Sequence, residues 1–565
     1  MSKQIKIDIL SGVRENGKNM YAVEVNDEIY ILDIGLQYPD NDLYGIDMVV
    51  PDMTYVKENI DKVVGVFLTH GHSDAIGALP YLISEYDVPV FGSEMTIELA
   101  KIVVSNDKRS KKFSNFHVID GNTEIDFEEA TISFFRTTHS IPGSLGIAIN
   151  TGEGQIVYTG DFKFDQSALP TYKTDYSKIA KIGTENVIAL LSDSANAETV
   201  AETSNEREVF DHILDTFEYH NGRIIVAQVA SNIQRMQEVL DAAYKTGKKV
   251  YLTGHDAHKI LKTAMKLEYL HVPSDDLIID SSKLNETDDT ELVIIETGRM
   301  GEPIKLLQRM ADPTTKTEFQ IKEGDLVFVA TTPSHAMDTA FARTRDAIYR
   351  AGADIKALGD KLNPSGHANR NDLQLMINLL NPQNLIPVQG EYRLLDSHSR
   401  IANQTGMPYQ NIFITKKGDV LNYENGQFYR GKGVTAGDTM IDGIGVGDIG
   451  SIVLRDRELL AEDGVFVAVV TIDRKKKKVV AKPKITARGF VYMRTSRDLL
   501  NESSEIIEQN IVNYLENSKE FDWSDLKQGV RDKLSKYLYD QTSRHPVILP
   551  VIMEVNQNRH RKAKR

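Results

Sequence analysis

Between about Asn205 and Ala353 the sequence settles into a regular alternation of helix-period and strand-period segments. They run NEREVFDHILDTFEYH, GRIIVAQ, SNIQRMQEVLDAAYKTG, KKVYLTG, and onward through DLVFVATT and a further helix. Such an alternation predicts a doubly wound α/β layer, a sheet with helices on both faces. The flanks have a different texture. The first 200 residues intersperse turn signals and some helix with short β-branched or aromatic runs, among them YAVEVNDEIYILDIG, VVGVFLTH, ATISFFRTTH, GQIVYTGD and VIALLSD. These suit strands of a mixed sheet with helices packed on it. Strand-type signal returns around LNPSGHA, in NLIPVQGEY and two hairpin-like stretches. The α/β block therefore reads as an insert in a β-rich body. The Gly-rich segment VTAGDTMIDGIGVGDIG ends that body as a linker would, followed by two strands, two amphipathic helices and the strand HPVILPVIMEV. The expected borders are 1–205 and 359–435 for the two parts of the body, 206–358 for the insert, 436–450 for the linker and 451–565 for a small α+β domain.

Composition removes several classes of function. No run of the 565 residues approaches the roughly 18 apolar residues of a membrane span, and the start MSKQIKIDILSGV lacks the apolar centre of a signal peptide, so a cytoplasmic location is expected. With no cysteine and 14 histidines, a transition metal must be held by His and carboxylates. The net charge of −15 argues against a polyanionic partner until it is divided. Residues 451–565 hold 23 Lys and Arg against 16 Asp and Glu, so an acidic body of −22 precedes a basic C-terminal part of +7.

The sharpest chemical signal is LTHGHSDAIGALP. An apolar strand stops at Thr69 and releases His70, Gly71, His72, Ser73 and Asp74 into a tight loop. Histidines at i and i+2 turn both imidazoles onto one cation only where the backbone bends, and Gly71 permits that bend. Further ligand-type residues fall where strands end: His139 after ISFFRTT, Asp161 after IVYTG, and Asp33 within YILDIG. His117, His212, His220 and His545 lack such a setting and read as surface or core residues.

These residues resemble the metallo-β-lactamase superfamily and its nucleic-acid-processing β-CASP branch. The strings GKNMY, LYGIDMVVPD, HSIPGSLG, TGDFKFDQ, LLSDSANAE, ASNIQRMQE, TGRMGEP, SGHANRNDLQLM, PVQGEYR and PKITARGFVYMR narrow the resemblance to bacterial ribonuclease J, from about Ser11 to about Pro550. The resemblance implies a metallo-β-lactamase αββα sandwich, an inserted doubly wound β-CASP domain and a small α+β C-terminal domain for RNA contact and oligomerisation. It also implies a 5′ to 3′ exoribonuclease with some endonuclease activity, acting in ribosomal RNA maturation and messenger RNA decay. Two metal ions, usually zinc, would activate water for attack at phosphorus.

The family pattern is not complete. Its His-x-His-x-Asp-His ends here in Ala75, and its HGEYR becomes Gln389-Gly-Glu-Tyr-Arg. Carried over residue by residue, the first metal position keeps His70, His72, His139 and the shared Asp161, whereas the second keeps only Asp74 and Asp161. A methyl cannot coordinate, and a neutral amide oxygen is a poor substitute for imidazole toward zinc. At most one zinc per chain is expected, with weak or vestigial turnover. This pattern is similar to the second, catalytically weakened paralogue of the family in Gram-positive bacteria, which works in a complex with a more active first paralogue.

The RNA-gripping parts are better retained. Asn363, Pro364, Ser365, Gly366 and His367 match the family's substrate-binding turn, in which Gly366 lets the backbone approach a phosphate and His367 donates to a phosphate or leaving-group oxygen. With Asp74, His367 is the expected catalytic residue. Asp193 matches an acidic β-CASP motif, or else caps the turn after it; Asp33 orients a loop under the metals. The run Arg474 to Lys478 and the tail Arg559, His560, Arg561, Lys562, Lys564, Arg565 are either solvated faces or phosphate-steering patches. Two functions follow: a metal-dependent ribonuclease of low turnover, or a largely inactive RNA-binding subunit in a homodimer or hetero-oligomer with an active paralogue. A lactonase or thioesterase is disfavoured, because the long α/β insert would have no role.

Overall fold

Side-chain alternation builds the first layer: Ile5, Ile7 and Ile9 of strand Ile5–Ser11 are buried in a core that excludes Lys6 and Asp8. The computed structural model describes residues 3–39, 43–254, 256–284, 286–298, 302–331, 338–443, 445–518 and 520–555. Arg299–Gly301 of the string TGRMGEP, and the basic tail from Arg559, lie outside them. The chain divides into one unit of Met1–Asp40 with Asp47–Thr439 and another of Asn41–Ile46 with Met440–Arg565.

Two sheets face each other in the first unit. The eight-stranded sheet runs Gln427–Arg430, Val420–Glu424, Ile5–Ser11, Met20–Val25, Glu28–Leu32, Val63–Phe67, Val90–Gly92, Phe116–Val118. The six-stranded sheet runs Leu385–Val388, Val187–Asp193, Gln155–Tyr158, Leu145–Asn150, Thr131–Arg136, Glu124–Asp126. Tyr21, Val23, Tyr30 and Phe67 of the first meet Ile132, Phe134, Ile147 and Tyr158 of the second in one core. The outer face of the six-stranded sheet, with Phe135, Val157 and Leu190, is covered by Ile179 and Ile182 of helix Tyr176–Gly183 and by Leu373, Met376 and Ile377 of helix Arg370–Leu380. Helix Glu94–Asn106 packs on strands Val90–Gly92 and Phe116–Val118 of the other sheet, so the layers are αββα.

Strand direction gathers the site. Gln155–Tyr158, Val187–Asp193 and Leu385–Val388 are mutually parallel. Thr131–Arg136 is two antiparallel steps from Gln155–Tyr158 and so runs the same way. Their carboxyl ends lie on one rim and release His139, Asp161, Asp193 and Gln389 there.

The insert is a five-stranded parallel sheet in the order Lys249–Thr253, Leu292–Gly298, Ile224–Val229, Leu326–Val329, Asp354–Ala357. Its first strand is central; the chain runs next to the edge strand Lys249–Thr253, returns to Leu292–Gly298 beside the first strand and then crosses to the other side for the last two, so the topological switch flanks the carboxyl end of Ile224–Val229. Residues Ala230–Asn232 leave from that end, toward the histidines.

In the second unit, strand Val465–Asp473 lies between antiparallel Lys478–Arg488 and parallel Val547–Glu554. Phe466, Ala468, Val470 and Ile472 are buried under helices Arg497–Asn517 and Trp523–Thr542. Two features depart from the sequence reading. The Gly-rich linker contains a short hairpin in which Ile441 pairs with Val446, and residues Ser451–Glu462 form a helix. That helix buries none of its residues, and Ile452, Val453 and Leu460 on it are exposed. Among the described residues no helix is long and apolar enough to cross a membrane.

Candidate metal centre

Three imidazoles converge in the first unit, with ring centroids 4.9 to 5.0 Å apart. His70 and His72 come from the loop after strand Val63–Phe67, and His139 from the segment after strand Thr131–Arg136. Each ring is held from behind. Thr69 has one hydroxyl proton, which it donates to Asp33 Oδ2 at 2.8 Å. Its oxygen therefore accepts from His70 Nδ1 at 3.0 Å, leaving the lone pair on Nε2. His139 Nδ1 donates to the Gly366 carbonyl at 2.7 Å, and His72 is hydrogen-bonded to the Ser231 backbone. The inward nitrogens His139 Nε2 and His72 Nδ1 are then 3.0 Å apart. Imidazoles with outer nitrogens tied to protein acceptors and inner lone pairs converging are an arrangement for a metal ion.

Asp161 completes the set, its Oδ2 3.5 Å from His70 Nε2 and 3.7 Å from His139 Nε2. His70 Nε2 and Asp161 Oδ1 are buried without a hydrogen-bond partner, a cost that a coordinated cation removes. Burial and the neighbouring histidines push His139 well below the usual imidazole range and His72 down to about 3, so both are neutral ligands at pH 7. Burial also opposes charge on His70, but Asp161 and Asp74 outweigh it and hold that ring at about 9, a proton with which a cation competes. Burial raises Asp161 to about 7, with Asp74 and Asp193 adding to it against His70. His70, His72 and His139 bring one ligand atom each within 4.8 Å of one another, as do His70, Asp74 and Asp161. With Asp161 also beside His139, the donors His70, His72, His139 and Asp161 fit a divalent cation.

The opposite side of the centre differs. Asp74 Oδ1 is 3.7 Å from His70 Nε2. Its other oxygen accepts from two amides, Gln389 Nε2 and Asn19 Nδ2, each at 3.3 Å. Gln389 therefore presents protons where a ligand would present a lone pair. Ala75 is fully buried in the short helix Ser73–Ile76.

His367 stands on a third corner. Its Nδ1 meets Asp193 Oδ2 at 2.9 Å and lies 3.8 Å from Asp161 Oδ2. Burial alone would neutralise the ring, but the carboxylates of Asp193 and Asp161 hold it protonated, at about 10. Asp193 also fills the capping role, its Oδ1 accepting from Ala195 N at 2.8 Å. Within the turn, Asn363 Nδ2 is spent on the carbonyls of Ala201 and Glu202, and Ser365 Oγ accepts from His367 N at 3.0 Å; Pro364 sits between them. Inside the protein, the missing Cβ of Gly366 makes room for His139, because a methyl there would lie 2.7 Å from His139 Cε1.

Apart from Asp33, expected to orient a loop under the metals, sequence reasoning missed the holders. Asp33, at φ 56°, accepts from Thr69 N, Thr69 Oγ and Tyr158 OH, each at 2.8 Å. Thr69 stood beside the histidines and Asn19 within GKNMY, but nothing in the sequence tied Tyr158 or Ser231 to the site.

Comparison with known proteins agrees with this geometry. The metallo-beta-lactamase superfamily matches residues 13–180, the ribonuclease J beta-CASP domain 221–345, the Zn-dependent metallo-hydrolase RNA specificity domain 352–414 and the ribonuclease J C-terminal domain 452–555. The chain is 52% identical over 551 residues to Ribonuclease J 2 of Streptococcus pyogenes serotype M3, covering 98% of this chain and 99% of that one. It is 44% identical over 554 residues to Ribonuclease J 2 of Staphylococcus aureus strain NCTC 8325, with the same coverage. A crystal structure of a protein of unknown function from Enterococcus faecalis V583 shares the fold, with TM-score 0.54 and 15% identity over 74% of this chain and 100% of that one. Four matched domains in order, a three-histidine centre and full-length relatives carry one conclusion: the chain belongs to the ribonuclease J family of metal-dependent RNases.

Proposed function

We propose that this chain is a one-cation ribonuclease of low turnover, holding zinc at His70, His72, His139 and Asp161 and trimming RNA from 5′ to 3′ in the cytoplasm during ribosomal RNA maturation and messenger RNA decay. The observation that carries the reading is the pair of amide donors on Asp74 Oδ2. Gln389 thus brings an amide proton where a ligand lone pair is needed and Ala75 offers no replacement ligand, which leaves a second cation only Asp74 and Asp161.

The cation supplies positive charge beside the phosphate oxygens and acidifies water toward neutral pH. The chain's own residues do the rest. Asp193 fixes the His367 ring through Nδ1, so its Nε2–H is the donor for the leaving 3′ oxygen as the phosphorus–oxygen bond breaks. In the metal-free protein neighbouring histidines, His70 foremost, hold Asp74 ionised at about 2 despite its burial, and in the loaded enzyme the carboxylate would accept a proton from the attacking water. That low affinity for protons makes it a weak base, which adds to the slow turnover. Gly366 ties the halves together, since its carbonyl holds His139 while the next residue donates.

The same replacements support a role as partner subunit, in which this chain grips RNA for a more active paralogue. Cleavage assays on a 5′-monophosphorylated RNA separate the two. For an enzyme, His72→Ala removes the residual activity, and Ala75→His with Gln389→His raises the rate at least tenfold. Residual activity unchanged by His72→Ala, with no gain from the double restoration, refutes the enzyme reading.

A further inference from the structure

The most one-sided charge in the chain lies in the second unit. From Arg474 to Arg497 the sequence holds ten Lys and Arg and no Asp or Glu, in a protein of net charge −15. Alternation along strand Lys478–Arg488 sorts these residues. Pro483 and Ala487 are buried and Ile485 is half-buried on the helix side, where Ser504 Oγ donates to the Pro483 carbonyl. Lys482, Lys484, Thr486 and Arg488 therefore stand on the opposite face, and all four are exposed. The strand is an edge of its sheet, so nothing within the sheet continues past it. Alternate residues repeat at about 6.6 Å, so from Lys484 through Thr486 to Arg488 the exposed side chains form a row, with Lys482 across a bulge.

Part of the run is satisfied internally. Arg474 faces Glu554 at 3.6 Å and lies over the Phe521 ring, and Lys476 is 3.7 Å from Asp473. Lys475, Lys478, Lys482, Lys484, Arg488 and Arg494 form no ion pair among the described residues. Like charges about 6.6 Å apart on one exposed strand repel only weakly, and a polyanion laid along them removes that repulsion. Tyr492, 65% exposed, offers an aromatic face just beyond the strand.

We propose that this face is a binding surface for the backbone of single-stranded RNA, additional to the metal centre. The charge row on an edge strand and the exposed tyrosine suit a polyanion with bases. That the polyanion is RNA rests on the ribonuclease reading. An acidic protein is the weaker fit, because the only large exposed apolar side chain on the cationic strand among the described residues is Val480; Leu549, Val551 and Met553 share the open face but lie two strands from the row.

The test uses the full-length chain with Lys482→Gln, Lys484→Gln and Arg488→Gln combined, all at exposed positions. Binding of a fluorescein-labelled, unstructured 20-nucleotide RNA is followed by anisotropy in EDTA, between 50 and 300 mM KCl. Losing three phosphate contacts lowers the slope of log K against log salt by about 2 and weakens binding roughly 100-fold at 0.1 M salt. A triple variant of the same charge in the same unit, Arg531→Gln with Lys533→Gln and Lys536→Gln, changes the slope by less than 0.5 if the face, and not net charge, matters. An unchanged slope in the first variant overturns the proposal, as does an equal loss in the control. So does a change of oligomeric state by sedimentation with RNA affinity intact, which assigns the face to a protein partner. Failure of the wild type to bind RNA at all contradicts the ribonuclease reading instead.

Discussion

Replacing Asp33 by Asn tests whether the metal centre is wired through protons. Asp33 is fully buried and accepts three hydrogen bonds, one from Thr69 N on Oδ1 and two, from Thr69 Oγ and Tyr158 OH, on Oδ2. In the variant the Thr69 N–H still requires an acceptor, so the amide oxygen takes the Oδ1 position and the NH2 group the other. Thr69 Oγ then accepts from that NH2 and its own proton turns to His70 Nδ1, 3.0 Å away. His70 responds by carrying its proton on Nε2, the nitrogen that faces the cation. Shape and volume barely change, while one ligand presents a proton in place of a lone pair. Disturbing such an outer partner lowers metal affinity about 10 to 100-fold, or about 1.4 to 2.7 kcal/mol. Reorienting two buried hydroxyls costs a further 1 to 3 kcal/mol or so in folding stability. Zinc affinity measured by competition with a chromophoric chelator at pH 7.5 reads the first effect, and urea unfolding of the metal-free protein reads the second. A zinc Kd within twofold of wild type would refute the wiring, even if stability fell.

Two further substitutions bear on the site and on the scaffold beneath it. Gly366→Ala places a methyl 2.7 Å from His139 Cε1 and presses on the ring that Gly366 itself holds; zinc affinity should fall at least tenfold with the melting temperature of the metal-free protein nearly unchanged, and equal affinity would show that the turn yields freely. Asp8, buried beside Glu24, is raised to about 7 by burial first and Glu24 second; because the folded state binds its proton more tightly, stability is lost as pH rises from about 4 to about 7. Asp8→Asn should thus stabilise by on the order of 2 to 4 kcal/mol at pH 8 and by almost nothing below pH 4, and a gain independent of pH in urea unfolding would contradict this.

Much of this was legible in the sequence because ligands sit where strands stop. The runs ending at Thr69, His139, Asp161 and Asp193 each place a polar residue after apolar alternation, and in the fold those ends share one rim. The helix and strand alternation after Asn205 likewise carried its own period into the parallel sheet. Helix Arg370–Leu380 was harder to see. Its start is set by the Asn369 and Asp372 capping box, but it follows the irregular turn that holds His367, and strand-like segments on both sides drew the reading. The proton partners were illegible for another reason. Tyr158 reaches Asp33 across 125 positions of chain and Gly366 reaches His139 across 227, and no local pattern encodes such contacts. Likewise Gln389 showed in the sequence as a missing ligand, but its amide protons on Asp74 came only from the fold.

The central claim is that one cation position survives and the other lacks ligands at Ala75 and Gln389. Elemental analysis of the full-length protein, equilibrated with zinc and freed of loosely bound metal, tests it most directly. One zinc per chain is the predicted result, rising to two when Ala75→His and Gln389→His are combined. Two zinc ions per wild-type chain would contradict the account.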